Sequence, residues 1–439
     1  MIGGLVMTEN IAPAVELDPA FGGGTPDEPT GTGERIVTLD LIRGVAVLGI
    51  LFANITAFGQ PVTAYFWPEA LPGGATMADR AVWFFQLVFV DHKFRGLFSL
   101  LFGAGVYLFT ERAWARGSGR WLQFRRLAWL LTFGAIHYFL IWHGDILGSY
   151  AAAGMMVLPM MKWPAKRQLK LGIFLYVLGS LVFLAGFAGA YVASVNPEFA
   201  AKLPPDMAKS IAEAPQKALD ATPKDIALYG GDSYPAIVRH MVQDEAGGYI
   251  NGLILVPLME TLGLVLIGMA LYRMGFFSGG FDPAKMRKWG WRSLLGGLAF
   301  TALVALWPFV SGWQMFRTLL TFNELGRLAQ LPIALGAAAL LAVNAPRLAQ
   351  TALGSRLVAA GRMAFSNYLG TSILMMFVFQ GWAIGLFGQL HRPGLMLIVF
   401  AVWAAMLLWS KAWLAKFRYG PLEWLWRCLT YWRLVPLKR

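Results

Sequence analysis

The sequence has few charged residues and a single cysteine. Asp, Glu, Lys and Arg make up 14% of its 439 residues, against about 25% in ordinary soluble domains. Apolar residues make up 57% of the chain, and the mean hydropathy is +0.55. A soluble protein of this length could not bury so much apolar surface, which excludes a soluble enzyme as well as a disordered chain. Cys428 alone can form neither an intramolecular disulfide nor a multi-cysteine metal site.

Long apolar segments are what the sequence has in abundance. A helix needs roughly 17–25 residues to cross the bilayer core, and ten segments approach this length. These segments are continuous rather than alternating, which excludes an outer-membrane barrel. The sequence therefore predicts an all-α polytopic membrane protein. The ten predicted spans are residues 36–57, 94–115, 121–142, 146–161, 169–192, 249–272, 289–310, 325–343, 365–387 and 395–414.

The regions outside the spans predict the rest of the organisation. Segment 78–90 is apolar but too short to cross, so we expect a half-helix that lies in or dips into one interface. Residues 1–34 are rich in Gly, Pro and acids, lack Lys and Arg, and are predicted to be a disordered acidic tail. An N-terminal helical half, 35–192, is followed by an extracytoplasmic loop, 193–246. The C-terminal helical half, 247–439, ends in a predicted interfacial helix.

The net charge of +13 could indicate a nucleic-acid partner, but the location of the basic residues argues against one. They cluster in short loops that all fall on one side of the ten-span arrangement. This is the pattern of topology signals, which places these loops and both termini in the cytoplasm. Membrane lipids are the expected partners. The basic clusters lie within residues 112–126, 162–170, 285–292, 347–362 and 411–439.

Ionisable residues near or inside apolar helices are costly and mark candidate sites. Asp40 and Arg43 are three residues apart in the first span and share a helical face. They form either an ion pair that fixes this helix in the bundle or the polar bottom of a binding site for a cofactor that enters from the cytoplasm. Asn54 lies eleven residues after Arg43, on the same face near the other end.

Two glutamates stand out in the C-terminal half. Glu260 lies in the middle of a span, where a bare carboxylate would be expensive, so it is either protonated or paired. It could serve a proton pathway or be a buried packing residue. Glu324 and Arg327 are three residues apart and are predicted to form a local pair.

A polar cluster precedes the second span. Asp91, His92, Lys93 and Arg95 are either interface anchors with an Asp–Lys pair or a functional group of residues. In the functional interpretation, Asp91 poises His92 as a base, while Lys93 and Arg95 hold an anionic group.

The third span ends with further polar residues on the same, outer side. They are His137, His143 and Asp145, and we expect them to share one polar cavity with Asn54 and His92. The histidines and acids have suitable atoms for zinc, but there is no histidine pair spaced i, i+4 and no cysteine. We therefore predict no metal.

Several motifs together resemble the YeiB-like membrane proteins, also described as domain of unknown function 418. The resemblance covers about residues 35–431 and, with the loop charges, implies a protein of the bacterial cytoplasmic (inner) membrane. The motifs are Leu39-Asp40-Leu41-Ile42-Arg43-Gly44, Lys93-Phe94-Arg95-Gly96-Leu97-Phe98-Ser99, His137 with Gly144-Asp145-Ile146-Leu147, Gly361-Arg362-Met363 with Ser366-Asn367-Tyr368, and Gly420-Pro421-Leu422-Glu423-Trp424.

That family is distantly similar to the transmembrane acyltransferases of the heparan-glucosaminide acetyltransferase type. Those proteins carry an acyl group from cytoplasmic acyl-CoA to a sugar hydroxyl or amine on the far side. The resemblance implies acyl-CoA as donor and a small-molecule, lipid or sugar acceptor. His92 or His137 would act as base, oriented by Asp91 or Asp145. His92 is preferred, because two cations follow it and because it echoes the acetyltransferase motif.

The other predicted site residues take supporting roles. Lys93 and Arg95 would stabilise developing negative charge and Asn54 would donate a hydrogen bond to it. Arg43 and Arg362 would contact the phosphates of the donor at the cytoplasmic mouth. His143 and Glu260 are assigned to substrate binding, and Asp40 and Asn367 to the donor site. A transporter or a lipid- or small-molecule-binding protein without chemistry is the main alternative, a structural partner protein is another, and a homodimer is left open.

Overall fold

A computed structural model describes residues 36–439, and its architecture is helical throughout these residues. The predicted all-α polytopic class is confirmed, and each of the ten predicted spans corresponds to a helix or to helices in line. The predicted acidic tail, 1–34, lies outside the described residues.

The helices that build the bundle are numbered here in chain order. Two short π-helical segments, Pro257–Thr261 and Thr321–Leu325, interrupt the sixth and eighth spans. The helices are α1 (Val37–Gly59), α2 (Met77–Phe89), α3 (Lys93–Ala115), α4 (Arg120–Leu140), α5 (Leu147–Val157), α6 (Ala165–Val195), α7 (Pro205–Tyr229), α8 (Tyr234–Gln243), α9 (Ala246–Val256), α10 (Leu262–Arg273), α11 (Pro283–Ala305), α12 (Met315–Leu320), α13 (Gln330–Leu348), α14 (Ala352–Arg362), α15 (Ala364–Phe379), α16 (Arg392–Lys416) and α17 (Pro421–Tyr431).

Six helical stretches are each long and apolar enough to cross a membrane by length and composition. They are Val37–Gly59, Ala165–Val195, Ala246–Arg273, Pro283–Ser311, Gln330–Leu348 and Arg392–Lys416. Leu147–Met160 and Ala364–Phe379 are shorter apolar helices. The remaining predicted spans, α3 and α4, have 23 and 21 residues and carry the basic residues that the sequence places near their ends.

Close helix contacts at glycine hold the centre of the bundle together. A Cβ atom at Gly103 of α3 would lie 2.1 Å from the carbonyl oxygen of Val265, and one at Gly268 of α10 would lie 2.0 Å from that of Leu100. Helices in lipid associate through such close packing, because there is no hydrophobic difference between lipid and helix to drive them together. The two helices can therefore pack backbone against backbone only because these positions lack side chains.

The short helix α2 has 13 residues and packs into the bundle, and its predicted place at a membrane interface stays a prediction. A capping box between Thr76 and Asp79 begins it, and Asp79 also accepts a hydrogen bond from the backbone N–H of Arg392 at the start of α16 (2.8 Å). Near its other end, Gln86 donates to the carbonyl of Phe52 in the second half of α1 (3.1 Å). The chain then reverses through His92, which has a left-handed φ of 65°.

The bundle has two chemically different ends. At the basic end, Tyr272 at the end of α10 donates to Glu111 near the end of α3 (2.9 Å). Trp426 of α17 donates there to the carbonyl of Arg126 near the start of α4 (2.8 Å). These contacts place the loops that follow α3 and α10 and the C-terminal helix at one end, called the basic end.

The opposite end, called the cap end, is covered by the segment that follows α6. This segment is helical, consisting mainly of α7 and α8, and it packs on the helix ends below it. Tyr234 of α8 donates to the carbonyl of Leu140 at the end of α4 (2.6 Å). The carbonyl of Tyr229 in α7 accepts from the backbone N–H of Gly381, just after α15 (2.9 Å). The predicted loop is thus a helical cap over the bundle.

The predicted topology can be tested by labelling single cysteines in a Cys428→Ala background. Met77→Cys and Asp206→Cys lie on exposed positions at the cap end, and Gln350→Cys lies on an exposed position at the basic end. In intact cells, a membrane-impermeant maleimide should label the first two and should label Gln350→Cys only after permeabilisation. Labelling of Met77→Cys and Gln350→Cys from the same side would contradict the ten-span arrangement.

Candidate active site at the centre of the bundle

A histidine–aspartate pair lies where α4 ends and α5 begins. The Nδ1 atom of His137 is 2.9 Å from a carboxylate oxygen of Asp145. The second carboxylate oxygen accepts from the backbone N–H of Gly148 (2.7 Å), so the start of α5 fixes the carboxylate. The His137 side chain is 0% exposed, and its Nε2 atom has no hydrogen-bond partner among the described residues. Asp145 therefore orients the imidazole of His137, whose second nitrogen is buried without a partner among the described residues.

A central cavity of about 220 Å³ reaches this pair through Asp145, whereas the buried His137 is not among the residues that line it. Asp145 lines it together with Arg95 and His143, so the structure brings three of the predicted site residues to one cavity. Ser149, Tyr150 and Tyr249 add hydroxyl groups to its wall. Burial lowers the pKa of His143, in the loop after α4, to about 4, so its imidazole is neutral at pH 7.

A second cavity of about 220 Å³ opens at the basic end. Its deep wall is apolar and aromatic, and it includes Tyr150, which also lines the central cavity. Its mouth carries one carboxylate, from Glu423, which caps α15 by accepting from the backbone N–H groups of Phe365 (2.8 Å) and Ser366 (3.1 Å). The cavity is thus basic at its mouth and apolar in its depth. The four arginines that line it are Arg43, Arg126, Arg362 and Arg427.

A third cavity of about 220 Å³ lies at the cap end, below α7 and α8. His143 lines this cavity as well as the central one. Tyr150 and His143 therefore stand at two junctions in a series of three cavities that extends from the basic end to the cap end.

A buried ion network borders the central cavity. Arg95 donates to Glu260 (2.5 Å), which also accepts from Gln330 (3.0 Å). Arg327 donates to Glu324 (2.8 Å) and lies 3.5 Å from Glu260. The predicted Glu324–Arg327 pair is confirmed, and Glu260 is paired, which is one of the two states that the sequence left open. Both glutamates lie in the π-helical segments, a type of irregularity that often occurs at functional sites.

The polar cluster before α3 differs from the prediction. Asp91 does not orient His92: it accepts from the hydroxyl of Tyr65 (3.0 Å), while Nε2 of His92 lies 2.9 Å from the carbonyl of Phe322. Lys93 is 4% exposed and donates to the carbonyl of Leu87 (2.5 Å). The reason is the chain reversal at His92, which turns adjacent side chains toward different helices. His92 and Lys93 line none of the three cavities.

Two asparagines also lie outside the three cavities. Asn54 is absent from their walls, and no hydrogen bond within the described residues joins it to the His137–Asp145 pair. Asn367, predicted to bind the donor, is buried and donates to the carbonyl of Ala360 (3.0 Å) and to Ser410 (3.1 Å). It thus fixes the junction between α14 and α15 against α16. None of the three cavities combines Asn54, His92, His137 and Asp145, and of these four residues only Asp145 lines one of them.

Two arginines that the sequence assigned to a donor site line the basic-end cavity, and their role there stays a prediction. Arg43 pairs with Asp40 (2.8 Å), as the spacing indicated, and still lines the basic-end cavity with Arg362. Sequence reasoning did not single out Arg126, which it grouped with the topology signals. The Arg126 guanidinium lies 4.2 Å from the ring centre of Trp426. Its place in the cavity depends on α17 packing against α4, which no local pattern reveals.

These features define a polytopic helical membrane protein with a buried histidine–aspartate pair and an ion network at its centre. The chain belongs to the YeiB-like family described as "Protein of unknown function (DUF418)", whose family model matches residues 271–433. The motifs that suggested this resemblance include both members of the His137–Asp145 pair and the Glu423 cap.

The similarity to relatives in the same family extends over nearly the whole chain. "Uncharacterized protein YeiB" of Escherichia coli (strain K12) is 34% identical over 90% of this chain and 96% of its own length. "Uncharacterized protein YxaH" of Bacillus subtilis (strain 168) is 32% identical over 94% of this chain and 98% of its own. An "Uncharacterized 39.9 kDa protein in amylase 3'region" of Bacillus acidopullulyticus is 28% identical over 93% and 98%. No solved structure matches the chain.

The ion network predicts a large stability effect when one partner is removed. Arg327→Met would leave Glu324 without its cation and weaken the pairing of Glu260. Breaking a buried pair in this way costs about 3–5 kcal/mol, because an uncompensated charge stays buried. Thermal unfolding in detergent should therefore show a clearly lowered Tm. The control Arg287→Met, at an exposed position on α11, should leave Tm nearly unchanged, and equal Tm values for both variants would contradict the structural role of the network.

Proposed function

We propose that this membrane protein transfers an acyl group from acyl-CoA, bound at the basic end, to an acceptor that enters from the cap end. The basic end would face the cytoplasm and the protein would lie in the bacterial inner membrane. The observation that carries the proposal is the buried His137–Asp145 pair, with its unpartnered Nε2 atom, beside cavities that extend toward both ends. A base held in one tautomer between two substrate sites suits group transfer.

The basic-end cavity supports acyl-CoA as the donor. Its arginines can bind phosphates with charge-assisted hydrogen bonds, and its apolar depth suits a pantetheine arm and acyl chain. Tyr150 and Ile146 line both this cavity and the central one, so an acyl group held there would end beside Asp145. This geometry extends the sequence-based donor site from Arg43 and Arg362 to include Arg126 and Arg427.

In the proposed reaction, His137 takes the proton of the acceptor hydroxyl or amine as that atom attacks the thioester carbonyl. The carbon–sulfur bond then breaks, and the departing CoA thiolate takes up the proton from the imidazolium. Asp145 keeps the imidazole oriented and stabilises its charged form. Arg95 lines the central cavity and would stabilise the negative charge that develops on the carbonyl oxygen. We therefore propose His137, in place of His92, as the base.

Exchange of the base tests this proposal. The protein in nanodiscs would be incubated with radiolabelled acetyl-CoA and a polar extract of bacterial envelopes, and acylated products would be resolved by mass spectrometry. His137→Ala should lower turnover on the order of 10²–10⁴-fold, the usual contribution of general base catalysis. His92→Ala should have little effect, because Nε2 of His92 is already 2.9 Å from the carbonyl of Phe322 and Asp91 does not orient its ring.

His391→Ala is the matched control for that experiment. His391 is also hydrogen-bonded to an aspartate, with Nδ1 2.7 Å from Asp79, but its side chain is 49% exposed, whereas that of His137 is fully buried. Turnover should stay close to that of the unaltered protein. Full activity of His137→Ala, or an equal loss in His391→Ala, would exclude His137 as the base.

The donor site predicts a separate kinetic effect. Arg126→Gln removes one charge from the mouth of the basic-end cavity and should raise the KM for acetyl-CoA by about tenfold, the loss of one charge-assisted hydrogen bond. The turnover number should change little, because this contact is made equally in the ground state and the transition state. Arg120→Gln, exposed at the same end, is the control. A lowered turnover number with unchanged KM would contradict the assignment.

A carrier function is the second candidate, and the ion network favours it. Arg95 belongs to this network and lines the central cavity, so a substrate or proton that reached Arg95 could change its pairing with Glu260. A carrier would move a compound across a vesicle membrane without consuming acetyl-CoA. Uptake that persists in His137→Ala, with no acylated product in the unaltered protein, would favour this function over acyl transfer.

A further inference from the structure

The cap-end cavity has a charge opposite to that of the basic-end cavity. Its lining includes the carboxylates of Asp225, on α7, and Glu245, just before α9. None of its described lining residues is lysine or arginine. The cap-end cavity is therefore lined by acidic residues, whereas the basic-end cavity is lined by arginines.

A buried hydrogen-bond acceptor in this cavity has no donor. Gln60, immediately after α1, is 2% exposed. Its Nε2 atom donates to the carbonyl of Leu390 (2.6 Å), which fixes the orientation of the amide. Its Oε1 atom has no partner among the described residues, and Gln60 is one of the residues that line the cavity. Buried polar atoms are nearly always paired. An N–H or O–H group of a ligand could supply the hydrogen bond that this oxygen lacks.

The two carboxylates are also accessible to a ligand. No hydrogen bond within the described chain reaches the carboxylate of Asp225. Glu245 has 45% of its side chain exposed, and its carboxylate lies 3.8 Å from Nε2 of His240. Three acceptors from separate elements thus face one cavity, and an ammonium group has three N–H donors to offer them.

Aromatic rings form much of the remaining wall. The rings of Phe58 and Trp142 lie 4.0 Å apart between centroids, and those of Tyr229 and Phe387 lie 5.1 Å apart. All four line the cavity. Aromatic faces attract cations and also pack against an apolar ring or chain. The wall therefore suits an organic cation better than an inorganic one.

From these observations we infer that the cap-end cavity is a binding site for an amine, namely a primary ammonium group attached to an apolar body about the size of one ring. The ammonium would lie among Gln60, Asp225 and Glu245, and the apolar body would pack against Phe58 and Tyr229. The site stands independently of the proposed chemistry. One consequence does rest on the proposed function: the acceptor of the acyl group would be an amine. Its ammonium form would first lose one proton to bulk water, because only the free amine has a lone pair with which to attack the thioester carbonyl.

His143 connects this site with the central cavity, because it lines both. Its neutral imidazole can accept a hydrogen bond from an ammonium group that moves inward. It would thereby position an amine between the cap-end cavity and Asp145. His143 is thus a positioning residue in this scheme, and His137 remains the base.

Three compounds of the same size test the inference. 2-Phenylethylamine, 2-phenylethanol and phenylacetate share one ring and differ in charge. Each would be titrated by calorimetry into the full-length protein in nanodiscs, with empty nanodiscs subtracted to remove partition into lipid. The amine should bind saturably and at least about tenfold more tightly than the alcohol, because hydrogen bonds to charged groups are stronger than those between neutral groups. Phenylacetate should bind more weakly than either.

Two variants locate the binding. Asp225→Asn should weaken 2-phenylethylamine binding about tenfold and leave 2-phenylethanol binding unchanged. Asp220→Asn, at an exposed position on the same helix, should leave both unchanged. An alcohol that binds as tightly as the amine, tighter binding of phenylacetate, no saturable binding, or equal losses in both variants would each overturn the inference.

Failure of this inference can be distinguished from failure of the proposed function. Amine binding without any acylated product would leave the amine site intact and remove acyl transfer. Acyl transfer to an acceptor without an amino group, together with no binding of 2-phenylethylamine, would overturn the amine site alone.

Discussion

The ion network around Glu260 is the contact on which the centre of the bundle depends. Arg95 comes from α3, Glu260 from the π-helical segment before α10, and Arg327 from the segment before α13. Tyr176 of α6 joins them by donating to the carbonyl of Arg327 (3.1 Å). None of these charges could stay inside an apolar bundle without the others, since isolated buried ions are very costly. The network therefore fixes four spans at one depth, beside the central cavity.

On either side of this centre, the two outer cavities are lined by residues of opposite charge. Arginines line the cavity at the basic end, carboxylates line the cavity at the cap end, and the His137–Asp145 pair lies between their ends. The two cavities therefore favour ligands of opposite charge. Tyr150 and His143, which stand at the junctions, are neutral groups that present little electrostatic barrier to either ligand. A reaction between an anionic donor and a cationic acceptor would suit this arrangement.

The sequence predicted those features that depend on local pattern. The spans follow from hydropathy, the half-helix α2 from its length, and the Asp40–Arg43 and Glu324–Arg327 pairs from i, i+3 spacing. The features that it missed need contacts between distant segments. Arg126 enters its cavity only because α17 packs on α4, more than 280 residues later in the chain. The unpaired oxygen of Gln60 depends on a hydrogen bond to Leu390.

His92 shows why the prediction failed even for adjacent residues. The sequence suggested that Asp91 would orient His92, but the left-handed backbone at His92 separates their side chains, and Tyr65 takes the carboxylate. His137 and Asp145 are eight residues apart, yet the turn between α4 and α5 brings them into contact. The chemical roles of these residues remain predictions.

The half-helix α2 also sets the order in which the protein can be assembled during synthesis. Its polar side chains find their partners at the start of α16: Asp79 contacts His391 and Arg392, and Gln86 contacts Arg392 across 306 residues of sequence. At about 5–20 residues per second, a ribosome needs roughly 15–60 s to synthesise the intervening chain. Until then, Asp79 and Gln86 have nearby partners in Thr76 and the carbonyl of Phe52, but they lack the contacts that His391 and Arg392 supply. The contacts of α2 are therefore completed only when the last span, α16, is inserted, although α2 itself is translated early.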